Sequence, residues 1–500
     1  MTRIALSTWI FLLDPMTPRA TTTAHGSKSS STTIATCLKA QPMYRGLCLA
    51  LLLFACNLPI LAWGAKTGAA TWHAGAARTR ITPDRMIWMS GYGNRNQPAQ
   101  ATLTDLWAKA LVLQDPNGHQ ALVITLDLVG IDRDLSVIIC KQIEDKLGLE
   151  RNQIAICCSH THTGPALPNN LRVLHYLQVD KSHQQLLDAY ATELVQRVVS
   201  TAQAAVATLE PSQLSWGSGR ATFAVNRREN SESGVPAQRL QGGLKGPLDH
   251  DVPVLAVRNT TGTLKSVLFG YACHATVLSF YKWSGDYPGF AQIELEQNHP
   301  GCVALFWAGC GADQNPLPRR TVALARHYGR RLADAVDTVL LTSQMHPITG
   351  KLETSYREID LALAQLPSQE TLKTEAMSSN RFVATRARML LAKQEQGQPL
   401  PKSYPYPIGV WKLGNDVQFI ALGGEVVVDF AVRLKAELSG VRTWVAGYTN
   451  DVMAYIPSRR VLREGGYEGA SAMVYYGLPG VWSEEVEKRI VDEVQHQLAP

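Results

Sequence analysis

The chain has 500 residues, 45% of them hydrophobic and 18% charged, and a formal net charge of +6. That is too long for one small domain and ordinary for a globular protein. Most of the charge belongs to residues 1–65, where Arg3, Arg19, Lys28, Lys39 and Arg45 oppose only Asp14; the rest carries +2. No Lys/Arg stripe then remains to suggest a nucleic-acid partner.

Residues 1–42 are rich in Ser, Thr and Ala without periodicity, and read as a non-structural leader or an over-extended start. From Met43 the text becomes a short basic start, the apolar run 47–63 and the small residues Gly64-Ala65. That pattern predicts a signal peptide over 43–65 and an exported protein. The alternative is an uncleaved anchor at 47–63, a length near the lower spanning limit. Beyond it stand six cysteines: Cys140, Cys157, Cys158, Cys273, Cys302 and Cys310. Export permits disulfides, yet Cys157, Cys158, Cys273 and Cys302 sit in apolar text, so buried free thiols are at least as well supported. No CxxC pair points to a thiolate site.

Strands are expected at 107–114 and 120–128, joined by the hairpin turn Asp115-Pro116-Asn117-Gly118. A helix over 133–147 stops at Gly148. The apolar run 153–158 is a strand, and 183–208 is a long helix ended by Pro211. Strands follow at 213–218, 252–258 and 265–272, then a helix at 288–297, a strand at 302–308 and a helix at 320–341. Residues 367–397 read as one charged helical insertion. The last third gives strands at 407–413 and 416–421, a helix at 426–438, a strand at 442–447 and a final helix at 484–497. This alternation predicts an α/β fold: one layered domain over 66–500, with mixed sheets flanked by helices.

Several strands end in reactive residues. After Ile154-Ala155-Ile156 comes Ser159-His160-Thr161-His162-Thr163-Gly164-Pro165. Period-two geometry sends His160 and His162 to one side, where two imidazoles begin a metal or proton-transfer site. His274 ends a second apolar run. Gly309 and Gly311 open a turn before Asp313-Gln314-Asn315-Pro316, and Gly423-Gly424 precede Glu425. Read singly, each has an ordinary structural explanation: a polar turn, a satisfied histidine, an Asx turn, a helix cap.

Their order is more specific. With Gly75–Pro83, Met89-Ser90-Gly91-Tyr92, Val225-Asn226-Arg227, Gly285-Asp286, Thr449-Asn450, Tyr455-Ile456 and Tyr467-Glu468-Gly469-Ala470-Ser471, the chain resembles the catalytic domain of neutral, non-lysosomal ceramidases. The resemblance implies one zinc ion held by His160, His274, Glu425 and Tyr455. It implies substrate handling by His162, Arg227 and Tyr467. The expected activity is hydrolysis of an N-acyl, ceramide-like amide by zinc-activated water; the expected partner is a small-molecule or lipid N-acyl substrate, a lipid one being compatible with contact at a membrane surface. Two imidazoles, a carboxylate and a phenol or phenolate suit Zn²⁺. Tyr467 and His162 are candidate oxyanion donors, worth ~3–4 kcal/mol each if well placed. His162 is alternatively the acid that protonates the leaving amine.

Two departures stand out. The family has a serine in the segment that reads Asp313-Gln314-Asn315-Pro316 here, which argues against a serine nucleophile. The family's C-terminal immunoglobulin-like domain is also expected to be missing. The alternatives are therefore a catalytically silent binding protein, or a zinc esterase or peptidase on the same site.

Overall fold

Strand side chains alternate between faces, so a strand apolar throughout must be covered on both sides. That rule organises this protein into four layers. The computed structural model describes residues 71–342 and 345–499. The expected leader (1–42) and signal segment (43–65) lie outside the described residues.

The main sheet contains β1 (Trp72–Arg80), β2 (Trp107–Gln114), β3 (Gln120–Leu126), β4 (Ile154–Cys158), β5 (Glu210–Arg220), β6 (Asp251–Asn259), β7 (Leu264–Tyr271) and β8 (Val303–Ala308). Their spatial order is β8–β7–β6–β5–β1–β2–β3–β4, and His346–Pro347 adds to β5. The two outermost pairs, β7 with β8 and β3 with β4, are parallel. The hairpin forms as expected: Asp115 Oδ1 accepts from the amides of Asn117 (2.8 Å) and His119 (2.9 Å) and closes β2 onto β3.

A second sheet is ordered β9 (Leu352–Ala362), β10 (Ser403–Leu413), β11 (Val417–Leu422), β12 (Arg442–Ala446). Between the sheets lies an aromatic core of Trp216, Trp307, Trp411, Phe419 and Trp444. The Trp307 and Phe419 rings stack at 6.0 Å. In β2, Leu111 and Leu113 enter this core, while Ala108, Ala110 and Val112 face the helices.

On that outer face pack α1 (Arg133–Leu147), α2 (Lys181–Ala207), α3 (Asp286–Asn298) and α4 (Val322–Leu341). The insertion expected as one helix is two, Gln369–Glu375 and α5 (Arg381–Glu395), because Asn380 caps the second: its Oδ1 accepts from Phe382 N at 3.0 Å. Helices α6 (Val428–Glu437) and α7 (Val486–Leu498) cover the second sheet.

Two further expectations need correction. Helix α2 ends at Ala207, and Pro211 lies inside β5 rather than stopping the helix. Strands β1 and β9 were not expected: β1 holds four Ala and Gly among its nine residues and few β-formers, and β9 is a half-exposed edge strand with little apolar text.

The segment after β12 joins both ends of the main sheet. Ala446 bridges to Gly309 beyond β8, and Thr449 bridges to Cys157 in β4. Asn450 exchanges bonds with Ile156 through its own amide (2.7 Å) and its Oδ1 (3.0 Å). The ends of β4 and β7 are thereby held over one spot. All six cysteines of the described chain are free and buried, and burial raises their thiol pKa values.

Candidate active site

His160 lies two residues beyond β4, at φ 60°. A left-handed backbone is uncommon for a non-glycine residue and marks local strain. Tyr448 (φ 54°) and Asn450 (φ 67°) share that conformation on the joining segment. The His160 ring lies 4.4 Å, centroid to centroid, from the ring of Tyr448. His160 and His162 do converge, with Nε2 atoms 3.1 Å apart, but through this left-handed turn rather than an extended strand.

His274 follows β7 by three residues. Its main chain is packed so closely that a Cβ on Gly311 would stand 2.4 Å from Cys273 N. Glycine there lets Gly311 O accept from His274 Nδ1 at 2.9 Å. Val129 O receives His160 Nδ1 at 2.5 Å. Each carbonyl therefore fixes a tautomer: in the neutral ring Nδ1 carries the proton and Nε2 a lone pair.

Glu425 and Tyr455 pair across a short parallel bridge. Gly424 makes the bridge possible: at φ 75° it lies so close to Ile456 and Ala454 that a Cβ would stand 2.6 Å from Ile456 Cγ1. Glu425 Oε2 lies 3.1 Å from His160 Nε2 and 3.2 Å from His274 Nε2, which are 3.2 Å from each other. Tyr476 donates its hydroxyl to Glu425 Oε1.

These three facing atoms are all acceptors, and Glu425 Oε2 has no hydrogen-bond donor. Acceptors this close repel unless a cation lies among them. Nitrogen donors bound at 2.0–2.1 Å to a tetrahedral zinc stand roughly 3.3 Å apart, so the set fits zinc. Protonation agrees. Burial, then Arg227, lowers the His274 pKa to about 4. Burial, then His160 and His274, holds His162 well below its usual range. Burial opposes charge on Glu425, but attraction to a protonated His160 and hydrogen bonds from His160 and His274 outweigh it and keep the carboxyl ionised; a bound cation takes the place of those protons. Neutral imidazoles beside a carboxylate are the ligating state.

Tyr455 Oη lies 3.3 Å from His274 Nε2 and accepts from Arg227 Nη2 at 3.2 Å. Burial, then Glu425, raises its pKa well above 10, so in this environment it is a phenol rather than a phenolate. Arg227 also donates to Glu468 Oε1 at 2.7 Å and to Asn315 Oδ1 at 3.4 Å. Tyr467 opens a π-turn over Tyr467–Ser471 and is 42% exposed at the mouth, its ring 5.3 Å from that of Tyr455. His162, Arg227, Asn315, Tyr455 and Tyr467 all line a cleft of about 730 Å³.

The structure thus brings together all seven residues expected from sequence. It adds four that sequence reasoning passed over. Tyr476 orients Glu425. Glu468 holds Arg227. Buried Arg95 donates to His162 O at 2.6 Å. Asp313 binds Val428 N (2.8 Å) and Asn226 Nδ2 (3.1 Å). Glu468 and Asp313 lay within quoted motifs, whereas nothing in the sequence marks Tyr476 or Arg95.

Residues 72–306 match the family described as neutral/alkaline non-lysosomal ceramidase, N-terminal. Over that span the chain resembles the family's N-terminal domain. Among curated relatives, the neutral ceramidase of Pseudomonas aeruginosa is 22% identical over 88% of this chain and 74% of its own length. Neutral ceramidase B of Dictyostelium discoideum is 23% identical over 51% of this chain and 37% of its own length. The solved neutral ceramidase from Pseudomonas aeruginosa superimposes with a TM-score of 0.66 at 18% identity, covering 85% of this chain and 74% of that one. A ceramidase complexed with C2 gives 0.65 at 17% identity, covering 84% and 74%. The layered α/β body is therefore that of the neutral ceramidases.

Proposed function

We propose that this protein is an exported, zinc-dependent amidohydrolase that cleaves an N-acyl, ceramide-like bond with water. The carrying observation is the trio of buried atoms His160 Nε2, His274 Nε2 and Glu425 Oε2, converging at 3.1–3.2 Å from one another. Residues 66–500 form the catalytic domain in this reading, and 43–65 the export signal. His160, His274, Glu425 and Tyr455 hold the metal. Bound zinc supplies Lewis acidity that makes hydroxide available near neutral pH.

The chain's own residues do the rest. His162, kept neutral by burial, holds the proton balance beside the metal ligands. Water oxygen joins the acyl carbon and its proton passes to His162, the C–N bond breaks, and His162 hands that proton to the departing amine. Tyr467, a phenol whose pKa burial raises, donates to the developing oxyanion. Arg227 keeps a fixed positive charge beside Tyr455 and Tyr467.

Asn315, in the segment where the family has serine, favours water over a side-chain nucleophile. It is also the one observation behind a catalytically silent reading. Turnover of a short-chain fluorogenic N-acyl amide panel decides between them. We expect hydrolysis that chelator abolishes and zinc restores, with one zinc per chain by metal analysis. A purified protein without stoichiometric zinc overturns the proposal.

A further inference from the structure

The cleft wall beyond the metal-site residues is ringed by charge, and its charges are nearly all matched. Arg227 and Arg228 share Glu468, at 2.7 Å each, and Arg228 also reaches Glu464 at 2.9 Å. Arg319 grips Glu232 with two bonds, 2.9 and 2.7 Å. Arg320 differs: it forms no ion pair among the described residues. Its side chain makes one hydrogen bond, from Nη1 to Tyr92 Oη at 3.1 Å, with the guanidinium 5.4 Å from the Tyr92 ring centroid.

This arginine is exposed, yet its place is fixed. Its backbone has φ 94° and donates to Val277 O at 2.7 Å. Tyr92 in turn donates to Leu278 O at 2.9 Å, which orients the phenol as acceptor for the guanidinium. The Tyr92 ring also lies 4.8 Å from that of His162. One phenol ring therefore neighbours both the proposed amine-protonating histidine and a cation without an ion pair, on which Asp286 and Glu232 act only through space. Long alkyl chains bury best against apolar walls, and this part of the wall carries the charged side chains of Arg228, Glu232, Arg319 and Arg320. A guanidinium fork is suited to a carboxylate.

We propose that the amide cleaved here carries a carboxylate on its amine half, as an N-acyl amino acid does, and that Arg320 binds it. This rests on the amidohydrolase reading and names its substrate class. The acyl carbon sits over His160 and His274, the leaving nitrogen faces His162, and the carboxylate extends past Tyr92 to Arg320.

The test compares N-octanoyl-glycine with N-octanoyl-glycinamide, and N-octanoyl-4-aminobutyrate with its carboxamide, on the zinc-loaded full chain. The wild type should favour an acid over its amide by about tenfold in kcat/KM, a charge-assisted bond's worth. Arg320→Gln should collapse that ratio toward one, while Arg320→Lys retains much of it. Both variants keep a side chain on the same left-handed backbone. A wild-type ratio near one for both pairs, or a ratio that survives Arg320→Gln, overturns the inference and leaves the amidohydrolase reading intact. If the fluorogenic N-acyl amide panel turns over and no pair does, this inference is overturned; if neither turns over, the amidohydrolase reading fails, and calorimetric titration of the same compounds decides this one. Tighter binding of an acid that is lost in Arg320→Gln supports it; equal or undetectable binding overturns it.

Discussion

The floor and the rim of the cleft handle charge in opposite ways. The floor gathers acceptors: two imidazole lone pairs and a carboxylate oxygen, tied from behind by Val129 O, Gly311 O and Tyr476. The rim gathers ion pairs, with Glu464 and Glu468 shared among Arg227 and Arg228 and Glu232 held by Arg319. A floor without hydrogens needs a cation from outside, whereas a rim already paired is nearly complete. Deleting a floor residue should therefore be severe, and deleting an outer rim pair such as Arg319–Glu232 mild.

The largest effect is expected at the two histidines, and it separates them. His160→Ala should lose zinc and drop turnover to background, while His162→Ala keeps zinc and loses roughly 10²–10⁴ in rate. Metal analysis beside kcat/KM reads both; equal zinc loss would make His162 a ligand. Next comes Tyr476→Phe, which touches no substrate. Removing an orienting bond behind a ligand should weaken zinc about 10–100-fold in a competition titration; unchanged affinity would mean that the floor needs no support from behind.

A smaller, pH-dependent effect belongs to His175, buried beneath the cleft with Gly91 N donating to its Nε2 at 2.9 Å. Burial, then Arg95 and Arg381, lowers its pKa from 6.5 to about 3. Between those values the unfolded chain takes a proton that the folded chain refuses. The stability it contributes is complete above pH 6.5 and is lost as pH falls toward 3, by up to about 1.4 kcal/mol per unit. Urea midpoints from pH 7 to 5 should fall less steeply in His175→Gln; parallel slopes would remove His175 from the account. The smallest effect is Arg319→Gln at the rim. Its partner Glu232 is 45% exposed, so stability should change by roughly 0–1 kcal/mol. A loss as large as a buried pair's would erase the contrast.

Legibility in the sequence followed the range of the signal. Helix α1 was readable to the residue because both stops are local: Asp132 Oδ1 caps Leu135 N, and Gly148 takes φ 69°. The alternation of strands and helices, and hence the α/β class, was legible for the same reason. Strand β9 was not, since an edge strand with mostly part-exposed residues needs no apolar run. At the site, the histidines, Glu425, Tyr455, Arg227 and Tyr467 were found through motif order. Their convergence depends on contacts such as Thr449 with Cys157 and Ala446 with Gly309, which no local pattern announces. Tyr476 lies 51 positions from the carboxylate it orients, and Arg95 lies 67 from the carbonyl it holds.

The buried thiols bear on how this chain matures. Burial raises the pKa of each of the six, so little thiolate is available to attack a disulfide or an oxidant. Among the described residues no disulfide has to be sorted before the four layers close, and no isomerase is required for a correct pairing there. An alkylating reagent should leave those six thiols unmodified in the native protein and gain access to them only as the layers come apart, which makes these cysteines a clock for opening.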